Sequence, residues 1–229
     1  MSEYKIKKGK EDPITVIIPA AGEGRRMKSY GPKPLIKLDS KTNIIERQIK
    51  IISKFFNDIN VVLVAGFKAD ELMDNTDDGF IKLENQLFME TNVVKSLSLA
   101  LRSVSSERVL VVYGDLVFNE RAIGALDFST SCTSASHDPM RKNEVGCIVD
   151  HNENLVSMMY DLDMKWNQIL YLHGKELNLF KTECFNRKHS KYFCFEVINK
   201  ILEKGGRIKC VCDTKTKVMD IDVSKDLLY

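Results

Sequence analysis

The chain has 229 residues, 44% of them hydrophobic, enough to bury a sizeable core in one α/β domain. Its 34 basic and 32 acidic residues nearly cancel, which argues against a dedicated nucleic-acid binder. No apolar run approaches the roughly 20 residues that span a bilayer, polar residues 1–12 show no secretory pattern, and the six cysteines form no Cys-x-x-Cys pair, so a reducing, cytoplasmic setting without a membrane partner is the expectation.

Residues 1–13 read as a charged lead-in and residues 14–229 as a single domain. The apolar run Ile14–Ile18 has the length of a buried strand. It empties into Ala20, Ala21, Gly22 and Gly24, small residues that let backbone approach a ligand, followed by the cations Arg25, Arg26, Lys28 and Lys33. Asn43 and Glu46 form a capping-box pattern, and Ile45, Ile49, Ile52 and Phe56 recur at helical spacing, predicting a helix over 43–57. A strand follows over 60–66, a short helix over 68–73 and a strand over 80–83. Asn92 is placed to cap a helix over 93–104, and the strand 108–113 ends in Gly114-Asp115. Strands and helices alternate and the strands are continuously apolar. That pattern predicts a Rossmann-like, three-layer α/β/α fold around a mostly parallel sheet. In such sheets ligands gather at the carboxyl ends of strands, where both the glycine loop and Asp115 fall.

The second half is less regular. Strands over 145–149 and 155–160 flank a turn at 151–154, whereas 161–180 gives no clear period. A helix is expected over 192–204 with Phe193, Val197, Ile198, Ile201 and Leu202 inward. Strands over 207–212 and 217–221 lead to Asp222-Val223-Ser224 and a final helical turn.

A strand that opens into a glycine loop with cations suits phosphate groups. The loop is neither a Walker A motif, since Gly31 is followed by Pro32, nor a dinucleotide fingerprint, since Met27 stands where a third small residue is needed. Two carboxylates, Asp115 and Asp222, leave apolar strands; the alternatives are a turn aspartate and a helix cap. The loop resembles the signature of nucleotidylyltransferases, Ala-Ala-Gly-x-Gly-x-Arg followed by Pro-Lys, here Ala20, Ala21, Gly22, Gly24, Arg26, Pro32 and Lys33. The family's late Ile-Asp-x-x-x-Asp-Leu segment is matched by Ile221, Asp222, Asp226 and Leu227. The segment 85–97 is similar to one in the choline-phosphate cytidylyltransferases of bacterial cell-surface pathways, the LicC-like type, through Asn85, Phe88, Asn92, Ser96 and Leu97.

The resemblance implies a nucleotidyltransferase fold that joins CTP to a small phosphorylated or phosphonate acceptor, phosphocholine-like, releasing pyrophosphate. It implies Mg2+ on Asp115 and Asp222, with Asp220 a weaker third ligand. Lys33 would meet the α-phosphate and Arg26 the departing pyrophosphate. Nucleotide contacts would come from Ala20, Ala21, Gly22, Glu23, Gly24, Arg25 and Arg26, and base contacts from Asn85, Asn92 and Ser96. Residues 128–185 would form an insertion on the acceptor side, with Glu144, Tyr160 and Trp166 facing the acceptor; a choline head group would want such aromatic faces. The alternatives are a sugar-1-phosphate nucleotidylyltransferase using UTP, GTP or TTP, a non-catalytic nucleotide-sensing module, and a nucleotide-sugar glycosyltransferase. The last usually carries Asp-x-Asp after the mid-chain strand, whereas Leu116 and Val117 follow Asp115.

Overall fold

A computed structural model describes residues 13–24 and 31–222. Strand β1 (Ile14–Ala20) is buried on both faces because its side chains alternate between two cores. Ile17 joins one core with Val94 and Leu97 of α3 (Val93–Leu101), Phe180 of α5 (Gly174–Phe185) and Ile198 of α6 (Cys194–Glu203). Val16 and Ile18 join the other, with Ile45 and Ile52 of α1 (Ile44–Ile52), Leu72 of α2 (Ala69–Asp74) and Ile123 of α4 (Arg121–Gly124). Three layers result, helices on each face of a sheet, and this is why the strands read as unbroken apolar runs. Among the described residues no helix is long and apolar enough to cross a membrane.

Seven strands form the main path of the sheet: β10 (Lys209–Cys212), β6 (Cys132–Ser136), β9 (Lys165–His173), β4 (Arg108–Val112), β1, β2 (Ile59–Ala65) and β3 (Ile81–Glu84), in that spatial order. All run the same way except β9, which is antiparallel to β4 and to β6. From β1 the chain steps to β2 and β3 on one side, then returns to β4 on the other, so a topological switch point opens between β1 and β4. The hairpin of β7 (Val145–Val149) and β8 (Leu155–Tyr160) leans on the start of β9 through Gly146 and Lys165. A separate two-stranded ribbon pairs β5 (Leu116–Phe118) with β11 (Val218–Asp220).

The Asn43 capping box is present, Asn43 Oδ1 accepting from Glu46 N at 2.9 Å and Asn43 N donating to Glu46 Oε2 at 3.0 Å. The α1 helix stops at Ile52, short of the expected 57, where Ser53 turns its hydroxyl back onto Ile49 O. The segment 161–180, without a visible period, holds the whole of β9 and the first half of α5. Residues 128–185, expected as an insertion, are woven into the sheet: β6 and β9 are interior strands, and the β7–β8 hairpin is the part that stands off it. Phe193, expected inward, is 47% exposed, because it lies before the first turn of α6, where Glu196 Oε2 takes the Phe193 N–H. The lead-in 1–12 and the helical turn expected after Ser224 lie outside the described residues.

Candidate active site

The carboxyl ends of β1, β3 and β4, the start of β9 and the end of β11 border one cleft of about 640 Å³. Its floor is the glycine loop. Phe67 N donates to Ala21 O at 3.1 Å, and Gly66 makes that approach possible, since a Cβ there would stand 2.7 Å from both Ala21 Cβ and Ala21 O. Gly24 takes φ +51°, and its missing Cβ leaves room for the Lys33 side chain, which would otherwise pass at 3.1 Å. Ala20, Ala21, Gly22 and Gly24 all line the cleft, and Glu23 lies between them in the loop. Arg25 and Arg26, for which nucleotide contacts were expected, lie outside the described residues, as does Lys28.

Lys33 opens a 3-10 turn between Pro32 and Pro34, and its side chain runs into the cleft. Its Nζ donates to Asp115 Oδ2 at 2.9 Å and to Asp222 Oδ1 at 2.7 Å. The β5–β11 ribbon brings those two carboxylates together. Asp220 is paired with Leu116, and Ile221 N donates to Asp115 O at 2.9 Å, so Asp222 emerges beside Asp115. Burial disfavours the Lys33 charge, but Asp115 and Asp222 outweigh it and hold its pKa above the ordinary lysine value. Two carboxylates already gathered around one cationic atom are hard oxygen donors suited to Mg2+, with the ammonium as a stand-in for the ion. Among the described residues no group of three or more His, Cys, Asp or Glu side chains could hold a metal by itself, so an ion here would draw further oxygens from water or phosphate.

Asp220 turns toward Lys165, which the sequence reading did not single out. The Lys165 side chain is 10% exposed; its Nζ donates to Glu144 Oε1 at 2.6 Å and to Asp220 Oδ1 at 3.4 Å. Burial pushes the Asp220 carboxyl up, Lys165 pulls it down, and Asp222 and Asp115 push it up again, leaving its pKa raised. The signal for Lys165 was a cation beside the single tryptophan, in a segment not recognised as a strand.

Asn85 is buried in the cleft wall, its Nδ2 donating to Thr91 Oγ1 and Ser96 Oγ at 3.2 Å each and its Oδ1 accepting from Leu87 N. Asn92 caps α3 through Val93 N at 2.8 Å. Both asparagines and Ser96 therefore have structural duties while lining the cleft. Glu144, Tyr160 and Trp166 line its other half. Trp166 is buried, its Nε1 on Thr133 Oγ1 at 2.8 Å and its ring edge-on to Tyr113. Tyr160 meets Phe195 edge-on at 5.4 Å, and Phe193 stacks on Phe195 at 6.0 Å, so an aromatic wall stands where one tyrosine and one tryptophan were expected.

A family model described as the MobA-like NTP transferase domain matches residues 16–130. The chain is 33% identical over 106 residues, 45% of its length, to the bifunctional protein GlmU of Francisella tularensis subsp. novicida strain U112; the match spans 22% of that relative's length. Among solved structures it is similar to the inositol-1-phosphate CTP transferase from T. maritima, at 17% identity and TM-score 0.73 over 93% of this chain and 90% of that one. It is similar to the CTP:phosphocholine cytidylyltransferase LicC from Streptococcus pneumoniae, at 16% identity and TM-score 0.73 over 93% and 95%. A nucleoside-diphosphate-sugar pyrophosphorylase from Vibrio cholerae RC9 follows at 14% identity and TM-score 0.69 over 93% and 99%. At these identities the structural likeness is one of fold.

Proposed function

The chain belongs to the MobA-like NTP transferase family, and on that premise we propose that it is a cytidylyltransferase joining CTP to a small phosphorylated or phosphonate acceptor. The observation that carries this reading is the convergence of Asp115, Lys33 and Asp222 beside the glycine loop at the switch point. Asp115 and Asp222 would hold Mg2+, which would supply charge neutralisation between the two anionic substrates. The loop amides from Ala21 to Gly24 receive the triphosphate, and Lys33 stabilises charge developing at the α-phosphate. An acceptor phosphate is already anionic, so its oxygen forms the new bond to the α-phosphorus without a general base. The bond to the pyrophosphate oxygen breaks as it forms, and Arg26 accompanies the leaving group. Lys165, held by Glu144 and Asp220, offers the acceptor phosphate a second cation.

The aromatic wall of Tyr160, Phe193 and Phe195 supports a phosphocholine-like acceptor, since ring faces attract a desolvated alkylammonium. The resemblance of segment 85–97, together with the likeness in fold to the inositol-1-phosphate CTP transferase and the CTP:phosphocholine cytidylyltransferase, supports CTP as donor. A sugar-1-phosphate acceptor with UTP, GTP or TTP is the second reading, favoured by the likeness to the nucleoside-diphosphate-sugar pyrophosphorylase. A pyrophosphate-release screen of each NTP against small phosphates, phosphonates and sugar-1-phosphates separates them. Release with CTP and phosphocholine or a close analogue is expected. Product from UTP and none from CTP overturns the donor assignment, and no product from any pair favours a nucleotide-sensing role.

A further inference from the structure

Gln48 breaks the pattern of its helix. The buried positions of α1 are Ile44, Ile45, Ile51, Ile52 and Gln48, so the glutamine sits on the apolar stripe and is 1% exposed. A fully buried amide is unfavourable there unless its polar atoms find partners. Its Nε2 finds two, donating to Tyr113 O at 2.9 Å and to Leu116 O at 2.7 Å, whereas its Oε1 is buried with no hydrogen-bond partner, so the side chain is held through its donors alone. Those carbonyls lie on either side of Gly114-Asp115, the turn between β4 and β5. An amide NH2 has two hydrogens and matches two carbonyl acceptors; a hydroxyl has one and a carboxylate none. The turn's own bond, Leu116 N to Tyr113 O, is long at 3.3 Å, so the glutamine supplies the shorter links across it. Asp115 O then accepts from Ile221 N at 2.9 Å, and Asp222 follows Ile221.

We infer that Gln48, which does not line the cleft, is a positioning residue that clamps the Asp115 turn and, through Ile221 N, sets the spacing of the Asp115 and Asp222 carboxylates for the divalent ion. This rests on the metal reading proposed above and extends it to a residue behind the site. Gln48→Met keeps the side-chain volume and removes both donors. In this variant Mn2+ binding, read by electron paramagnetic resonance with a non-hydrolysable CTP analogue present, weakens roughly tenfold, as loss of an outer-shell partner does elsewhere. The Mg2+ concentration for half-maximal rate rises by the same factor, and binding of the analogue in chelator is unchanged. Amide hydrogen exchange quickens over 113–118 and 221–222 and not elsewhere. Gln48→Asn keeps the amide but withdraws it by one methylene; it shows the same shift and carries the test if the methionine variant does not fold. A folded variant that binds Mn2+ as the parent does, or whose exchange quickens evenly, overturns the role of Gln48. Parent protein that binds no Mn2+ with the analogue overturns instead the metal reading.

Discussion

Lys33 and Lys165 meet one electrostatic problem in two places: each ammonium lies between two carboxylates, Asp115 and Asp222 for the first, Glu144 and Asp220 for the second. The two carboxylates keep Lys33 charged in a partly desolvated cleft, where a cation aimed at phosphate acts more strongly than in water. Lys33→Ala is expected to lower kcat/KM by about 10²–10³-fold, the effect of removing one preorganised donor, while circular dichroism stays that of the parent. Lys33→Arg is not expected to rescue it, because a longer planar fork does not place a compact point charge where the ammonium would meet the α-phosphate. Unchanged pyrophosphate release from Lys33→Ala removes the lysine from the reaction. The two residues differ in how far they could be read beforehand. Lys33 lies in a dense local pattern, Gly31-Pro32-Lys33-Pro34, close to its loop. Lys165 acquires meaning from Glu144 and Asp220, 21 and 55 residues away, and no local spacing carries that. Phe193 was misread for a similar reason: helical periodicity places it inward, but it precedes the first helical turn, where periodicity does not apply.

The glycine loop and the strand β9 show where local pattern succeeds and where it stops. β1, β2 and β4 were legible because each is apolar on both faces. β9 and β6 were not, because their buried faces carry polar groups that satisfy one another across strands. Asn167 Nδ2 donates to Ser134 Oγ, Ser136 Oγ donates to Asn167 Oδ1, and Thr133 Oγ1 donates to Ile169 O. A buried hydroxyl or amide is tolerable once paired, but the pairing is tertiary, so the sequence alone reads as loop. Gln168 adds to this, with φ +58° in a strand whose register with β6 shifts between Thr133 and Ala135. In the loop, Gly22 offers a sharper test than Gly24. Its φ is not positive and a Cβ built on it meets nothing within 4 Å, so the protein itself does not require glycine there. Gly22→Ala is expected to melt no lower than the parent, since alanine narrows the unfolded ensemble. Yet the KM for nucleotide should rise several-fold, because the added methyl occupies space through which phosphate reaches the backbone amides. Thermal melts and nucleotide-dependent rates check both halves. An unaltered nucleotide KM would mean that the phosphates do not lie against Gly22.

Across the whole molecule, the switch point between β1 and β4 decides where chemistry can occur, and the turns far from it decide how the fold responds to acid. Four aspartates in turns are held below the ordinary carboxylate value of 3.8 by donors their own loops provide. Asp39 is lowered by the Lys41 and Thr42 amides, and Asp127 by the Ser129 hydroxyl and amide. Asp150 is lowered by Asn154 and the Asn152 amide, and Asp213 by Arg121 and the Lys215 amide. A group whose folded pKa is depressed stabilises the fold fully above its unfolded pKa, and that contribution is lost as pH falls through the folded value, because the unfolded chain takes the proton first. These turns therefore contribute a flat stability near neutrality and a decline below 3.8. Asp150 is the place to test it, since its carboxylate gathers three donors of the β7–β8 turn, accepting from Asn152 N, Asn154 N and Asn154 Nδ2 at 2.8, 2.9 and 2.9 Å. Asp150→Asn removes the titration but keeps an acceptor. Urea unfolding between about pH 5 and about pH 2.5 should give a shallower acid slope for the variant than for the parent, with the two converging at the acid end. Parallel slopes would mean that the hairpin turn takes up its proton as readily folded as unfolded, and that the acid response originates elsewhere in the chain.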